Sequence, residues 1–181
     1  MLFLIYLDSS ITTKMDISTF NEQILFSTLR IQPTDYQNNP ISVGTGFFVR
    51  GKLNRSGDES LVLLVSNKHV FEQSKSFVVN FHRKSQYGKP ELGSIYRYSV
   101  SDYGKAYYPH PDAEVDLACV NFSTAVSNLH SDIYYRLIEL DFFLKFTEEY
   151  LDTEQRIYYV GYPDGRFDIE KEMVPEIRTG C

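Results

Sequence analysis

A hydroxyl or thiol attacks an amide only when a neighbouring base removes its proton, and an imidazole suits that task because it titrates near neutrality. His69 is the residue of this chain best placed for it. It follows almost directly on the apolar run Leu61-Val62-Leu63-Leu64-Val65, which would fix its backbone at the end of a buried strand, where a cleft can open. A histidine that must carry a proton in the transition state also needs a carboxylate to select its tautomer and stabilise the cation. Asp116 fits that role. It heads the run Leu117-Ala118-Cys119-Val120, at the edge of a core strand where burying its charge is costly without a partner. The two residues are 47 positions apart, about the chain length that several strands of a small barrel need to return to the same crevice.

The other histidines, His82, His110 and His130, are expected to be solvated or structural. His110, Asp112, Glu114 and Asp116 alternate in a way that could gather ligands on one face of a strand, but Pro109 and Pro111 break that regularity. No metal and no cofactor are expected. Ser123, Ser127 and Ser131 follow Asp116 closely, and none is flanked by glycine. Cys181 could in principle supply a thiolate, but as the last residue of the sequence it has no following backbone N–H to complete an oxyanion site.

The elements that would position His69 and Asp116 read mainly as strands. Tyr and Phe number 14 and 13, and aromatic rings pack well on a pleated surface. Strand patterns cover residues 23–31, 43–50, 61–65, 77–81, 95–100 and 115–122, with Gly44 and Gly46 permitting close backbone approach. Residues 124–151 place Ile133, Leu137, Leu140 and Leu144 at helix-compatible spacing, so a short helix and a long connection are both open there. A strand over 157–162 leads into the turn Pro163-Asp164-Gly165, and 170–180 reads as one more strand.

Composition limits the function classes. A formal net charge of -6, with no cluster of Lys and Arg, argues against nucleic acid as a partner. The opening apolar run Met1–Leu7 lacks a basic leader and is interrupted by Asp8 well short of a membrane span, so neither a signal peptide nor a membrane partner is expected. Met15 is an alternative start. With only Cys119 and Cys181 present, no disulfide framework forms, which points to a reducing, cytoplasmic compartment.

Four blocks in order resemble the chymotrypsin-like serine peptidases, in particular the intracellular bacterial trypsin-like domains. Gly44-Thr45-Gly46-Phe47-Phe48-Val49 is similar to that family's Gly-x-Gly-Phe strand, and Leu64-Val65-Ser66-Asn67-Lys68-His69-Val70 to its histidine block. Asp112-Ala113-Glu114-Val115-Asp116-Leu117-Ala118 resembles the Asp-Leu-Ala block, and Tyr159-Val160-Gly161-Tyr162-Pro163 the strand that opens the second barrel. The resemblance implies an all-β, chymotrypsin-like antiparallel β-barrel fold. Residues 1–19 would be an N-terminal extension, 20–123 a complete first barrel holding His69 and Asp116, and 124–181 a connection with a second barrel only begun.

It also implies trypsin-like peptide-bond hydrolysis, with His69 as base and Asp116 as its orienter. The family's serine lies in a Gly-x-Ser-Gly turn well downstream of the acid, and no such turn follows Asp116 in this sequence. The expectation is therefore a truncated or inactive peptidase domain acting on a peptide or protein, with a second chain or longer product as a source of the missing strands and serine. The alternative is a non-catalytic, pseudo-peptidase barrel that binds a peptide or protein partner along a strand edge.

Overall fold

The computed structural model describes residues 20–52, 60–72, 75–140, 143, 157–162 and 175–180. Most of the expected strand patterns fold as strands: β1 (Thr28–Thr34), β2 (Gly44–Lys52), β3 (Ser60–Ser66), β4 (Ser76–Lys84), β5 (Pro90–Ser101), β6 (Tyr107–Pro109) and β7 (Ala118–Asn121). They form one antiparallel sheet in the order β5-β4-β1-β2-β3-β7-β6. β8 (Ile133–Tyr134) joins it through His82 and Arg83 of β4. The all-β class holds. Among the described residues no helix is long and apolar enough to cross a membrane.

The sheet is strongly curled, and its aromatic side chains show why. Three strands separate β4 from β7, so in a flat sheet they would lie about 19 Å apart. The rings of Phe77 on β4 and Phe122, one residue past β7, are nonetheless 6.3 Å apart, and Tyr98 on β5 reaches the same Phe122 ring at 6.0 Å. Phe48 on β2 packs between Phe81 and Phe122, at 5.8 and 5.6 Å. Both ends of the ladder thus share one core, which removes Phe48, Leu64, Val79, Ile31 and Ile133 completely from solvent. Burial of that apolar surface is the main favourable term in the fold.

The curl stops short of the closed first barrel expected from the sequence. β5 and β6, at the two ends of the ladder, do not pair with each other. They are consecutive in the chain and joined by a 3-10 turn, Tyr103–Ala106, entered through Asp102 in the left-handed region at φ 51°. The bend turns the chain from the β4 side of the sheet to the β7 side.

Two other elements differ from the sequence reading. Residues 20–27 form a helix, α1 (Phe20–Ser27), where a strand was expected from 23 onward. Ser27 Oγ and Thr28 Oγ1 donate to the carbonyls of Gln23 and Ile24 at 3.0 and 2.8 Å, a four-residue back-bond that only a helical turn brings within reach. Ser66 leads, through Asn67, into a short helix, α2 (Lys68–Glu72), so His69 sits on a helix rather than on a strand end. After β7 a third helix, α3 (Ser123–Leu129), precedes β8, in line with the short helix that was one of the two alternatives for this stretch.

Residues 124–140, read as part of a connection, stay attached to the main sheet. Ile138 donates its N–H to Phe48 O at 2.8 Å, and Arg50 N donates to Ile138 O at 3.0 Å. Of the expected second barrel, the described residues contain one two-stranded ladder, β9 (Ile157–Gly161) with β10 (Glu176–Gly180). It meets β2 where Tyr162 N donates to Thr45 Oγ1 at 2.8 Å. The N-terminal extension 1–19, the Pro163-Asp164-Gly165 turn, Leu144 and Cys181 lie outside the described residues.

Candidate active site

α2 exists where it does because two apolar residues on one side of it, Val70 and Phe71, are buried, while Lys68 and His69 face outward. Its seat depends on a missing side chain. A Cβ on Gly44 would lie 2.5 Å from Val70 Cγ1, so only glycine lets the helix press this closely on the start of β2. Ser66 Oγ donates to Thr45 O at 2.7 Å, tying the end of β3 to the same stretch of β2.

Asp116 reaches the site from the loop between β6 and β7. His110 N donates to Leu117 O at 2.8 Å, closing that loop at its base. Asp112 Oδ1 accepts the Glu114 N–H at 3.0 Å, the side-chain turn that aspartate favours. Lys68 Nζ, from α2, donates to Asp112 O at 2.8 Å.

His69 and Asp116 meet. The imidazole Nδ1 is 2.6 Å from Asp116 Oδ2, and the His69 backbone N–H donates to Asp116 Oδ1 at 3.1 Å. Asn67 Nδ2 donates to Asp116 Oδ2 at 3.1 Å and to its carbonyl at 3.0 Å. Because an ionised carboxylate can only accept, Nδ1 carries the proton and Nε2 of the neutral ring is left as the acceptor. These contacts hold the Asp116 carboxyl below its ordinary value: the hydrogen bond from the His69 ring is the largest cause, followed by that from its backbone N–H, with Asn67 adding less.

The pair is open to solvent, with side chains 62% and 48% exposed. That departs from the buried carboxylate at the edge of a core strand that the sequence suggested. The strand β7 begins two residues after Asp116, which leaves the acid on the loop.

Sequence reasoning missed three residues of this site. Asn67 was part of the histidine block, yet its amide was not read as a third hand on the carboxylate. Tyr107, on β6, donates from its hydroxyl to Glu72 Oε1 at 3.1 Å, and Tyr103 donates to the Phe71 carbonyl. Nothing in spacing alone brings residue 107 to residue 72.

The remaining candidates have other work. Ser123 Oγ accepts the Val62 N–H at 3.0 Å, and His82 packs edge-on to Phe26 with ring centroids 5.2 Å apart. His130 Nδ1 donates to Ser127 O at 3.0 Å. His110 Nδ1 accepts the Asp112 N–H at 3.2 Å, and among the described residues no three His, Cys, Asp or Glu side chains gather as a metal-holding group. Burial raises the Cys119 thiol above its ordinary value, which makes it a poor nucleophile.

An open recess of about 210 Å³ lies beside Thr45, walled by Tyr159, Val160, Gly161 and Tyr162 of the β9 segment and by Glu176 and Arg178 of β10. No family model matches this sequence, and no curated protein or solved structure matches it.

Proposed function

We propose that this chain carries the base and orienter of a chymotrypsin-like serine endopeptidase, with His69 as general base and Asp116 as its orienter. The observation that carries the reading is the bond between His69 Nδ1 and Asp116 Oδ2 at 2.6 Å, formed by the two residues that the ordered sequence blocks single out. The strand ladder curled on one core, whose two ends are joined by a short turn, also supports it. In such a site Nε2 takes the proton of an attacking hydroxyl and returns it to the leaving amine, while Asp116 stabilises the imidazolium between those steps. The hydroxyl itself has no counterpart here: no serine after Asp116 lies in a Gly-x-Ser-Gly turn. These 181 residues on their own are therefore not expected to hydrolyse peptides, and the serine would come from a longer product or a second polypeptide.

The experiment is fluorophosphonate labelling, with casein hydrolysis measured in parallel. The 181-residue chain is expected to give no serine adduct and no hydrolysis above that of His69→Ala. A product whose coding sequence supplies a Gly-x-Ser-Gly continuation is expected to label, and to lose on the order of 10⁴-fold or more in rate on His69→Ala. A serine adduct on the 181-residue chain overturns the statement about the nucleophile. Labelling of the longer product that is indifferent to both His69→Ala and Asp116→Ala overturns the assignment of roles.

A non-catalytic barrel that binds a peptide is the second reading, favoured by one observation. β5, twelve residues long, ends the ladder with no strand on its outer side among the described residues, and such an edge can accept an added strand. Peptide binding unchanged by His69→Ala and lost on Ser99→Pro, in β5, would select this reading.

A further inference from the structure

We infer that Tyr103 and Tyr107 are positioning residues that lock the C-terminal end of α2 and thereby hold His69 against Asp116. The inference rests on the reading of His69 as a base. α2 is a helix of five residues, too short to hold its own shape, since most of its backbone groups lack an intrahelical partner. Its last carbonyls must be satisfied from outside. Tyr103 does this directly, its hydroxyl donating to the Phe71 carbonyl, and its ring packs 6.2 Å from Phe71 and 4.9 Å from Phe77.

Tyr107 acts on the next residue. Its ring stands edge-on to Phe71 at 5.9 Å, and its hydroxyl holds Glu72 Oε1 at 3.1 Å. Glu72 lies three residues after His69, the spacing at which helix side chains become neighbours. Released from Tyr107, its carboxylate would compete with Asp116 for the same imidazole. The titratable groups facing the Tyr107 phenol are Glu72 on α2, Tyr103 on the 3-10 turn and Asp116 on the loop before β7. Burial, the Glu72 acceptor and these charges push that phenol up to about 12, so it remains a donor throughout the neutral range. Both tyrosines belong to the bend and strand that link β5 to β7, so the fold couples the seat of the base to the segment that delivers the acid.

The test is solvent exchange of the His69 Nδ1–H proton by NMR on the 181-residue chain, with thermal melts confirming that each variant is folded. Tyr103→Phe and Tyr107→Phe are each expected to speed exchange about tenfold, in line with the loss of one hydrogen bond, whereas Tyr36→Phe on the distant β1–β2 turn leaves it unchanged. Adding Glu72→Gln to Tyr107→Phe is expected to restore protection, because the competing charge is gone; a purely structural contact would show no such rescue. Wild-type exchange in both Phe variants, or no rescue by Glu72→Gln, overturns the inference. A wild-type chain with no protected Nδ1–H, and an Asp116 that titrates as it does in His69→Ala, overturns the base reading beneath it as well.

Discussion

Asp116 grips His69 at two points, taking the ring Nδ1 on one carboxylate oxygen at 2.6 Å and the backbone N–H of the same residue on the other at 3.1 Å. A carboxylate bound to ring and backbone together fixes the rotation of the imidazole as well as its tautomer. Asn67 adds to the arrangement by donating to the carbonyl and the carboxylate of Asp116. The geometry makes Nε2 the accepting end of the ring, which is the end a base must present to an attacking hydroxyl.

Asp116 is held charged below the usual carboxylate range, chiefly by the His69 ring. A depressed carboxyl favours the folded state above its unfolded value of about 3.9 and loses that contribution as pH falls through the lower folded value. The loop carrying Asp116 should therefore keep its contact with α2 as pH drops through 4 and release it only below that. Carboxyl-carbon NMR titration checks this. His69→Ala is expected to raise Asp116 only part of the way to its ordinary value, because the backbone N–H of residue 69 and the Asn67 amide still donate to it, and Asn67→Ala to raise it by a smaller amount.

Gly44→Ala places a methyl group 2.5 Å from Val70 Cγ1. Overpacking of this kind costs about 1–3 kcal/mol, and the strain falls on the helix that carries His69. Urea unfolding should show the loss of stability. The His69 to Asp116 contact should loosen with it, seen as an Asp116 titration shifted toward the ordinary value.

Phe48 is fully buried and its ring touches Phe81, Phe122 and Tyr135. Phe48→Ala is expected to cost about 3–5 kcal/mol, the range for removing a buried aromatic side chain. Chemical denaturation measures it. An exposed ring such as Tyr36 supplies the comparison, with Tyr36→Ala expected to change stability by less than about 0.5 kcal/mol.

Thr45→Val removes the hydroxyl that accepts the Tyr162 N–H while keeping its shape. An amide left without its acceptor costs about 1–3 kcal/mol when buried. Amide exchange at Tyr162 should accelerate while exchange in the core strand β1 stays slow, which would show that the β9–β10 ladder is anchored to β2 at this point.

The strands were legible because apolar and aromatic residues mark buried sheet well, and Leu61–Val65 or Phe77–Phe81 offer few other solutions. Residues 23–27 were not, since the alternation of Leu25 and Ser27 against Phe26 and Thr28 fits the start of a strand as well as a helical turn. The back-bonds of Ser27 and Thr28 accompany the helical turn and are invisible to periodicity. His69 and Asp116 could be paired from residue type and order, but their exposure could not, because the apolar run 117–122 concealed that Asp116 sits before the strand begins. The roles proposed for Tyr103, Tyr107 and Glu72 depend on a bend at Asp102 that carries the chain from β5 into β6, a strand that no pattern in the sequence marked. Closure of the sheet was overestimated for the same reason, since the bend replaces the last ladder.

The ring-nitrogen NMR spectrum of neutral His69 reads directly which ring nitrogen carries the proton. The Nδ1–H tautomer is expected in the 181-residue chain, with Asp116→Ala shifting the ring to the Nε2–H form that free imidazole side chains favour. A wild-type ring already in the Nε2–H form would contradict this reading, because its accepting nitrogen would then face the carboxylate and not an attacking hydroxyl.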